Sequence, residues 1–255
     1  MQLLHSKIAG GGIAVHDLGG NGPPVIFLHG LGGSGTLEFP AVAGHAALCG
    51  HRRILFDWPG HGASDAPKGF DYSTTSLARV ALELIDRLCP GQDVTVFGHS
   101  MGGAIAIELA ELLGERCTGL ILAEGNTRSG GGMFSAKIAA WSLAEYVDRA
   151  HPTMLTEDLA AARIWNMADA WSVHRCAQAL VAGVHPEWMD RLMALTIPRA
   201  AIFSDTNANH PDVALLTDAG IPVHVLPDSG HGMALDNPAG LADLLSLLLA
   251  KEISS

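Results

Sequence analysis

Short apolar runs alternate with Ala- and Leu-rich segments along this chain, and that alternation limits the fold more than any single motif does. Seven runs read as strands: Ile13–His16, Val25–Leu28, Ile54–Phe56, Val94–Phe97, Leu120–Ala123, Ala200–Phe203 and Val223–Leu226. Several are apolar at every position, as strands covered on both faces must be. Helical spacing fills the intervals at Thr74–Leu88, Gly103–Leu113, Pro211–Ala219 and Pro238–Lys251, the last with Asn237 as a capping residue and Pro238 suited to its first turn. Strand, helix, strand in this order predicts an α/β fold with a mostly parallel central sheet flanked by helices.

One stretch breaks the rhythm. About seventy-five residues separate the run ending at Ala123 from the one beginning at Ala200, far more than a single crossover needs. After Gly130-Gly131-Gly132 come helical patterns at Phe134–Arg149, Glu157–Met167, Val173–Val184 and Trp188–Leu195. Residues 130–195 are therefore expected to form a helical cap inserted into a single domain spanning 1–255. The stretch carries four of the chain's five tryptophans, Trp141, Trp165, Trp171 and Trp188, which on a lid would line an apolar pocket.

Bulk properties exclude other classes. At 255 residues and 48% hydrophobic, the chain can bury a full core. A net charge of −11 opposes binding to nucleic acid or to anionic membrane surfaces, so neither partner is expected. No signal-peptide core and no membrane-length apolar run occur, which predicts a soluble, cytoplasmic protein. Cys49, Cys89, Cys117 and Cys176 are widely spaced, suggesting neither a metal site nor disulfides.

The chemistry concentrates at Gly98-His99-Ser100-Met101-Gly102. This Gly-x-Ser-x-Gly pattern directly follows the strand Asp93–Phe97 and precedes the helix former Gly103–Ala110, the strand, turn and helix that a serine nucleophile elbow requires. A helix N-terminus there would aim backbone N–H groups at a developing oxyanion.

In this context the chain resembles the α/β-hydrolase superfamily, over nearly its whole length and with several motifs in the family's order. Val25–Gly33 is similar to the family's His-Gly oxyanion loop, which implies an oxyanion hole formed by the N–H groups of Leu31 and Met101, with His29 holding the loop by a hydrogen bond. Phe56–Ser64 is similar to the family's Asp-x-x-Gly-His-Gly-x-Ser loop, and Asp57 and His61 are expected to be structural. Among thirteen histidines, the resemblance selects His231, in Asp228–Met233 after the last strand, as the general base.

The acid is open between two strand ends. Glu124 follows Leu120–Ala123, where some haloalkane-dehalogenase relatives carry a Glu. Asp205 follows the later strand, the commoner family position, but Ser204-Asp205-Thr206-Asn207 departs from the usual Gly-x-x-Asp. Glu124 is preferred, since a carboxylate ending an apolar strand needs a partner and an imidazolium supplies one. Asp228 and Asp236 fit turn and helix-start roles better.

A serine at the elbow argues against dehalogenation, which uses Asp in this fold. The resemblance implies hydrolysis of a small apolar ester or lactone through an acyl-enzyme, with no metal or cofactor. The same fold also supports carbon–carbon bond hydrolysis, acyl transfer or perhydrolysis, and small-molecule reception with little turnover. His99 precedes the nucleophile where the carbon–carbon hydrolases often have Asn.

Overall fold

The computed structural model describes residues 1–157 and 167–252. Eight strands form one sheet in the order β1-β2-β4-β3-β5-β6-β7-β8. They are β1 (Gln2–Ser6), β2 (Gly11–Asp17), β3 (Gly22–Leu28), β4 (His51–Phe56), β5 (Val94–His99), β6 (Cys117–Ala123), β7 (Arg199–Ser204) and β8 (Val223–Leu226). The pairs from β4 through β8 are parallel, whereas β1–β2 and β2–β4 are antiparallel. All seven expected strands are present, and β1 is an addition. Its alternation is interrupted and it lies at the sheet edge with mostly exposed side chains, so the burial signal that marks the other strands is missing.

Side chains along the central strands divide between two cores, one on each face. Ile26 and Leu28 of β3, Val96 of β5, and Leu120 and Leu122 of β6 enter one core. Val25, Phe27, Phe97, Ile121 and Ala123 enter the other. This is the period-two consequence of a pleated strand buried on both faces. The first core is closed by the helices Thr74–Leu88 and Met101–Leu113, the second largely by Pro238–Glu252. In Thr74–Leu88 the spacing is visible residue by residue: Leu77, Ala78, Val80, Ala81, Leu84 and Ile85 are buried, while the Ser73 hydroxyl caps the first turn by accepting from Ser76 N–H at 3.1 Å. Each fully buried Leu or Ile there contributes roughly 1.5–3 kcal/mol.

The chain passes from β3 to β4 on one side and resumes with β5 on the other side of β3. The carboxyl ends of β3 and β5 thus flank the switch point where an open parallel sheet leaves a crevice.

Between β6 and β7 the described residues are helical, at Met133–Ala139, Leu143–Glu145, a wide i to i+5 turn at Tyr146–Ala150, His151–Glu157, Ala170–Ala182 and Trp188–Ala194. The single helical pattern expected over Phe134–Arg149 is broken after Ala139. Ser142 starts a new turn, with its hydroxyl accepting from Glu145 N–H and the Glu145 carboxylate accepting from Ser142 N–H, a capping box. Most of the pattern expected at Glu157–Met167, with Trp165, lies outside the described residues.

The three described tryptophans of the insertion do not form one apolar pocket wall. Trp188 is fully buried in the main core, with its indole N–H donating to Glu108 at 2.9 Å. Trp171 packs edge-on against Tyr72 and lies under Lys68, and Trp141 is exposed. Trp188 is drawn inward by its indole hydrogen bond and Trp171 by cationic and aromatic contacts on its ring face, so the two settle against different partners.

Candidate active site

Ser100 sits between β5 and the helix Met101–Leu113 at φ 54°, ψ −121°, a conformation a non-glycine residue adopts only where its surroundings impose it. The surroundings are explicit. Ser100 N–H donates to Ala123 O at 3.1 Å, and Ser100 O accepts from Asn126 N–H at 2.9 Å and Gly103 N–H at 2.8 Å. The flanking glycines let the helix come close. A β-carbon on Gly98 would stand 2.5 Å from Gly102 O, one on Gly102 would collide with Leu28 O, and one on Gly103 with Gly125 Cα. The turn therefore lies against β3 and the end of β6.

Gly30, in the loop after β3, faces the serine, since a β-carbon there would stand 3.1 Å from Ser100 Cβ and 3.6 Å from its Oγ. This sets the predicted oxyanion loop beside the hydroxyl. Leu31 follows Gly30, and Met101 is the first residue of the helix, whose N–H has no partner within that helix. His29 holds the loop from inside. Its Nδ1 donates to Gly30 O at 2.8 Å, its Nε2 accepts from Trp58 N–H at 3.0 Å, and burial drives its pKa down, so the ring is neutral. Asp57 is also structural: it accepts from the Ser34 and Thr36 hydroxyls and from Thr36 and Ala63 N–H, at 2.8 to 3.0 Å. His61 is buried, donates from Nδ1 to Pro59 O at 3.0 Å, and leaves Nε2 unpaired.

His231 lies in the loop after β8. Its Nδ1 stands 2.6 Å from Glu124 Oε2, and its side chain is 46% exposed against 6% for Glu124. Glu124, at φ 43°, is held by three more donors: Ser204 N–H at 2.9 Å and the Ser204 hydroxyl at 2.5 Å on one oxygen, and Asn207 Nδ2 at 2.8 Å on the other. Burial alone would raise its pKa. The bonds from His231 and Ser204 outweigh that and hold it at about 2.

Asp205, the alternative acid, instead accepts from Asp228 N–H at 2.9 Å and Ser229 N–H at 3.4 Å, tying down the loop that leads to His231. Asp236 accepts from Gly230 N–H at 2.8 Å in the same loop. His231 is bound to the elbow by His99, whose Nε2 donates to His231 O at 2.8 Å with the two rings 4.8 Å apart. Burial and the neighbouring His231 lower the His99 pKa to about 3, leaving a neutral ring. The roles of Ser204, Asn207 and His99 were not anticipated from sequence. Ser204 and Asn207 fill the stretch where the Gly-x-x-Asp pattern breaks, and that departure was their only sign.

Comparison with known proteins agrees with this architecture. A family profile described as alpha/beta hydrolase fold matches residues 23–199, more than half of the chain. The chain belongs to the α/β-hydrolase fold family. A poly(3-hydroxyalkanoate) depolymerase of Ectopseudomonas oleovorans is 35% identical over 132 residues, which cover 50% of this chain and 44% of that protein. The matched stretches span less than half the length of this and other curated relatives. Among solved structures, a thermophilic esterase from Thermogutta terrifontis superposes with a TM-score of 0.81 at 22% identity, covering 99% of both chains. The N-acyl homoserine lactonase AidH superposes with a TM-score of 0.78 at 21% identity, covering 99% of this chain and 98% of that one. At such identities these two likenesses concern the fold. Among the described residues, no helix is long and apolar enough to cross a membrane.

Proposed function

We propose that this protein is a serine hydrolase that cleaves a small ester or lactone through an acyl-enzyme on Ser100. The observation that carries the reading is the 2.6 Å contact between His231 Nδ1 and Glu124, in a loop fastened to the elbow that strains Ser100. With Nδ1–H donated to a carboxylate, the other ring nitrogen is the free base, the tautomer a serine nucleophile requires. A neutral serine is a poor nucleophile near pH 7, and His231 would take its proton as Oγ attacks the carbonyl. The N–H groups of Leu31 and Met101 would hold the oxyanion. His231 would then protonate the leaving alkoxide and activate water to release the acid. The low pKa of Glu124 keeps it anionic through the cycle, so it stabilises the imidazolium without taking its proton.

Two features support an ester-type substrate and a covered site. A depolymerase, an esterase and a lactonase stand among the similar proteins, and each name denotes a carboxylic ester bond. Leu31 packs both on the main core and on the apolar cluster of the insertion formed by Ile138, Tyr146, Ala168, Val173 and Ala177. We read residues 130–195 accordingly as a cap over the serine. No metal or organic cofactor enters this chemistry.

Burst kinetics with a short-chain p-nitrophenyl ester test the reading. The expected result is a burst stoichiometric with enzyme, followed by steady turnover, both abolished by Ser100→Ala. Turnover that survives Ser100→Ala overturns it.

A further inference from the structure

His231 has to meet Ser100 from the far side of the sheet. β8 lies three strands from β5, about 14 Å at ordinary strand spacing, so the sheet register does not set the distance between base and nucleophile. The loop after β8 must carry the ring back across β7 and β6, and side chains hold its backbone at several points. Asn237 Nδ2 donates to Pro227 O at 2.9 Å, Asp205 accepts from Asp228 and Ser229 N–H, and Asp236 accepts from Gly230 N–H. These partners belong to the turn after β7 or to the segment that follows the loop itself. They fix the loop's shape and not its reach.

His99 reaches the loop from the other direction. It is the last residue of β5, next to Ser100, and its Nε2–H donates to His231 O at 2.8 Å. Among the described residues, this is the one bond from the loop's backbone to the nucleophile's strand. The ring is buried, stands 4.8 Å from the imidazole of His231, and brings Nδ1 against the oxyanion loop, where a β-carbon on Gly30 would lie 3.4 Å from it. Burial keeps His99 neutral, so the donor stands beside an imidazolium without repelling it. Glu124 grips His231 at its other end, at 2.6 Å from Nδ1. A ring held at one nitrogen can still swing about that contact, and a second fixed point on the carbonyl of the same residue removes the swing.

We infer that His99 is a positioning residue of the catalytic site, whose Nε2–H, bonded to the His231 carbonyl, sets the distance between the general base and Ser100. The role rests on the serine-hydrolase reading. It asks for a neutral N–H donor directly before the nucleophile, where a phenyl ring would fill the space and hold nothing. His231 acts in both halves of the cycle, taking the proton from Ser100 and later activating water, so a displaced ring slows acylation and deacylation together. A shift on the order of 1 Å costs up to about 100-fold in rate. When both steps slow alike, KM stays where it was.

The test compares the parent with His99→Phe, which keeps a ring without the donor, and with His99→Gln, which keeps an N–H donor on a flexible side chain. With the p-nitrophenyl ester, His99→Phe lowers kcat by roughly 10- to 100-fold at unchanged KM, with burst and steady phases slowed together, and His99→Gln recovers most of the loss. The proton between His231 Nδ1 and Glu124 is followed as a downfield NMR resonance, which persists in all three proteins because Ser204 and Asn207 hold Glu124 independently. A parent-like kcat in His99→Phe overturns the inference. So does a loss in His99→Gln as large as that in His99→Phe, or disappearance of the downfield resonance, since His99 would then support the loop as a whole. Where His99→Phe does not fold, His99→Leu, smaller and also without a donor, is read in its place. Ser100→Ala separates the two levels: turnover that survives it overturns the serine-hydrolase reading, whereas Ser100-dependent turnover left intact by His99→Phe overturns the positioning role alone.

Discussion

The elbow around Ser100 and the insertion between β6 and β7 solve the packing problem in different ways. At the elbow every backbone contact is close, the glycines are filled against by backbone carbonyls and α-carbons, and a strained serine is pinned by three backbone hydrogen bonds. The insertion keeps slack. Its apolar cluster is small, its first helix stops after seven residues, and Tyr146 Oη and His174 Nδ1 are buried with no hydrogen-bond partner. Gly102 has no room for a methyl group, whereas Gly132, at φ −88°, would meet only Asn126 Nδ2 at 3.7 Å, although Gly131 and Gly183 of the insertion are as crowded as the elbow. The elbow, which holds one strained geometry, is over-determined, and the insertion is less so.

The contrast breaks most sharply at single atoms of the elbow. Ser100→Ala is expected to lower ester turnover by at least about 10³-fold, some 4 kcal/mol of transition-state stabilisation, with an unchanged circular dichroism spectrum. Glu124→Gln should cost about as much, because the amide no longer favours the imidazolium, while Asp205→Asn should change kcat by less than about fivefold, since Asp205 bonds only loop N–H groups. A larger loss in Asp205→Asn than in Glu124→Gln would return the acid to the later strand.

Glycine replacement sharpens the same comparison through stability. Gly102→Ala should destabilise by about 3 kcal/mol or prevent folding, and Gly132→Ala should stay within about 0.5 kcal/mol of the parent in urea denaturation. Next comes pH. Glu38 has its pKa raised by burial in the folded state, so the folded protein holds a proton that the unfolded chain releases from the ordinary value of 4.5 upward. Unfolding free energy therefore falls as pH rises from 4.5 to about 7, by about 1–2 kcal/mol after allowance for partial exposure, and Glu38→Gln should remove that slope. Glu124 acts in the opposite sense, its contribution being present above 4.5 and lost as pH falls toward 2. The smallest effect belongs to the insertion. Tyr146→Phe deletes a buried hydroxyl that has no partner and should leave the midpoint of denaturation unchanged or slightly raised.

What was legible in the sequence follows from the same division. The central strands announce themselves because burial on both faces demands unbroken apolar runs, and the elbow because its glycines answer to close backbone approach. The edge strand Gln2–Ser6 carries no such demand. The break at Ser142 is marked by the capping-box pattern Ser142-Leu143-Ala144-Glu145, but apolar residues continue through it and mask it. The choice between Glu124 and Asp205 was open because both end neighbouring parallel strands. It turns on where Ser204 and Asn207 point, which depends on the register of β6 and β7. Glu38 lies in Thr36-Leu37-Glu38-Phe39, a string with nothing to mark it, and only the fold brings it under Gly33.

Glu108, deep in the helix behind Ser100, accepts from the Thr75 hydroxyl at 2.5 Å and the Trp188 indole at 2.9 Å, with Arg191 at 3.4 Å. One carboxylate so joins the elbow helix, the helix Thr74–Leu88 and the last helix of the insertion. In native-state hydrogen exchange, the amides of Trp188–Ala194 should report the opening of the whole domain, while those of Met133–Ala139 exchange through smaller, earlier openings. The insertion would then come undone from its leading end, and its trailing end would be the last part to let go.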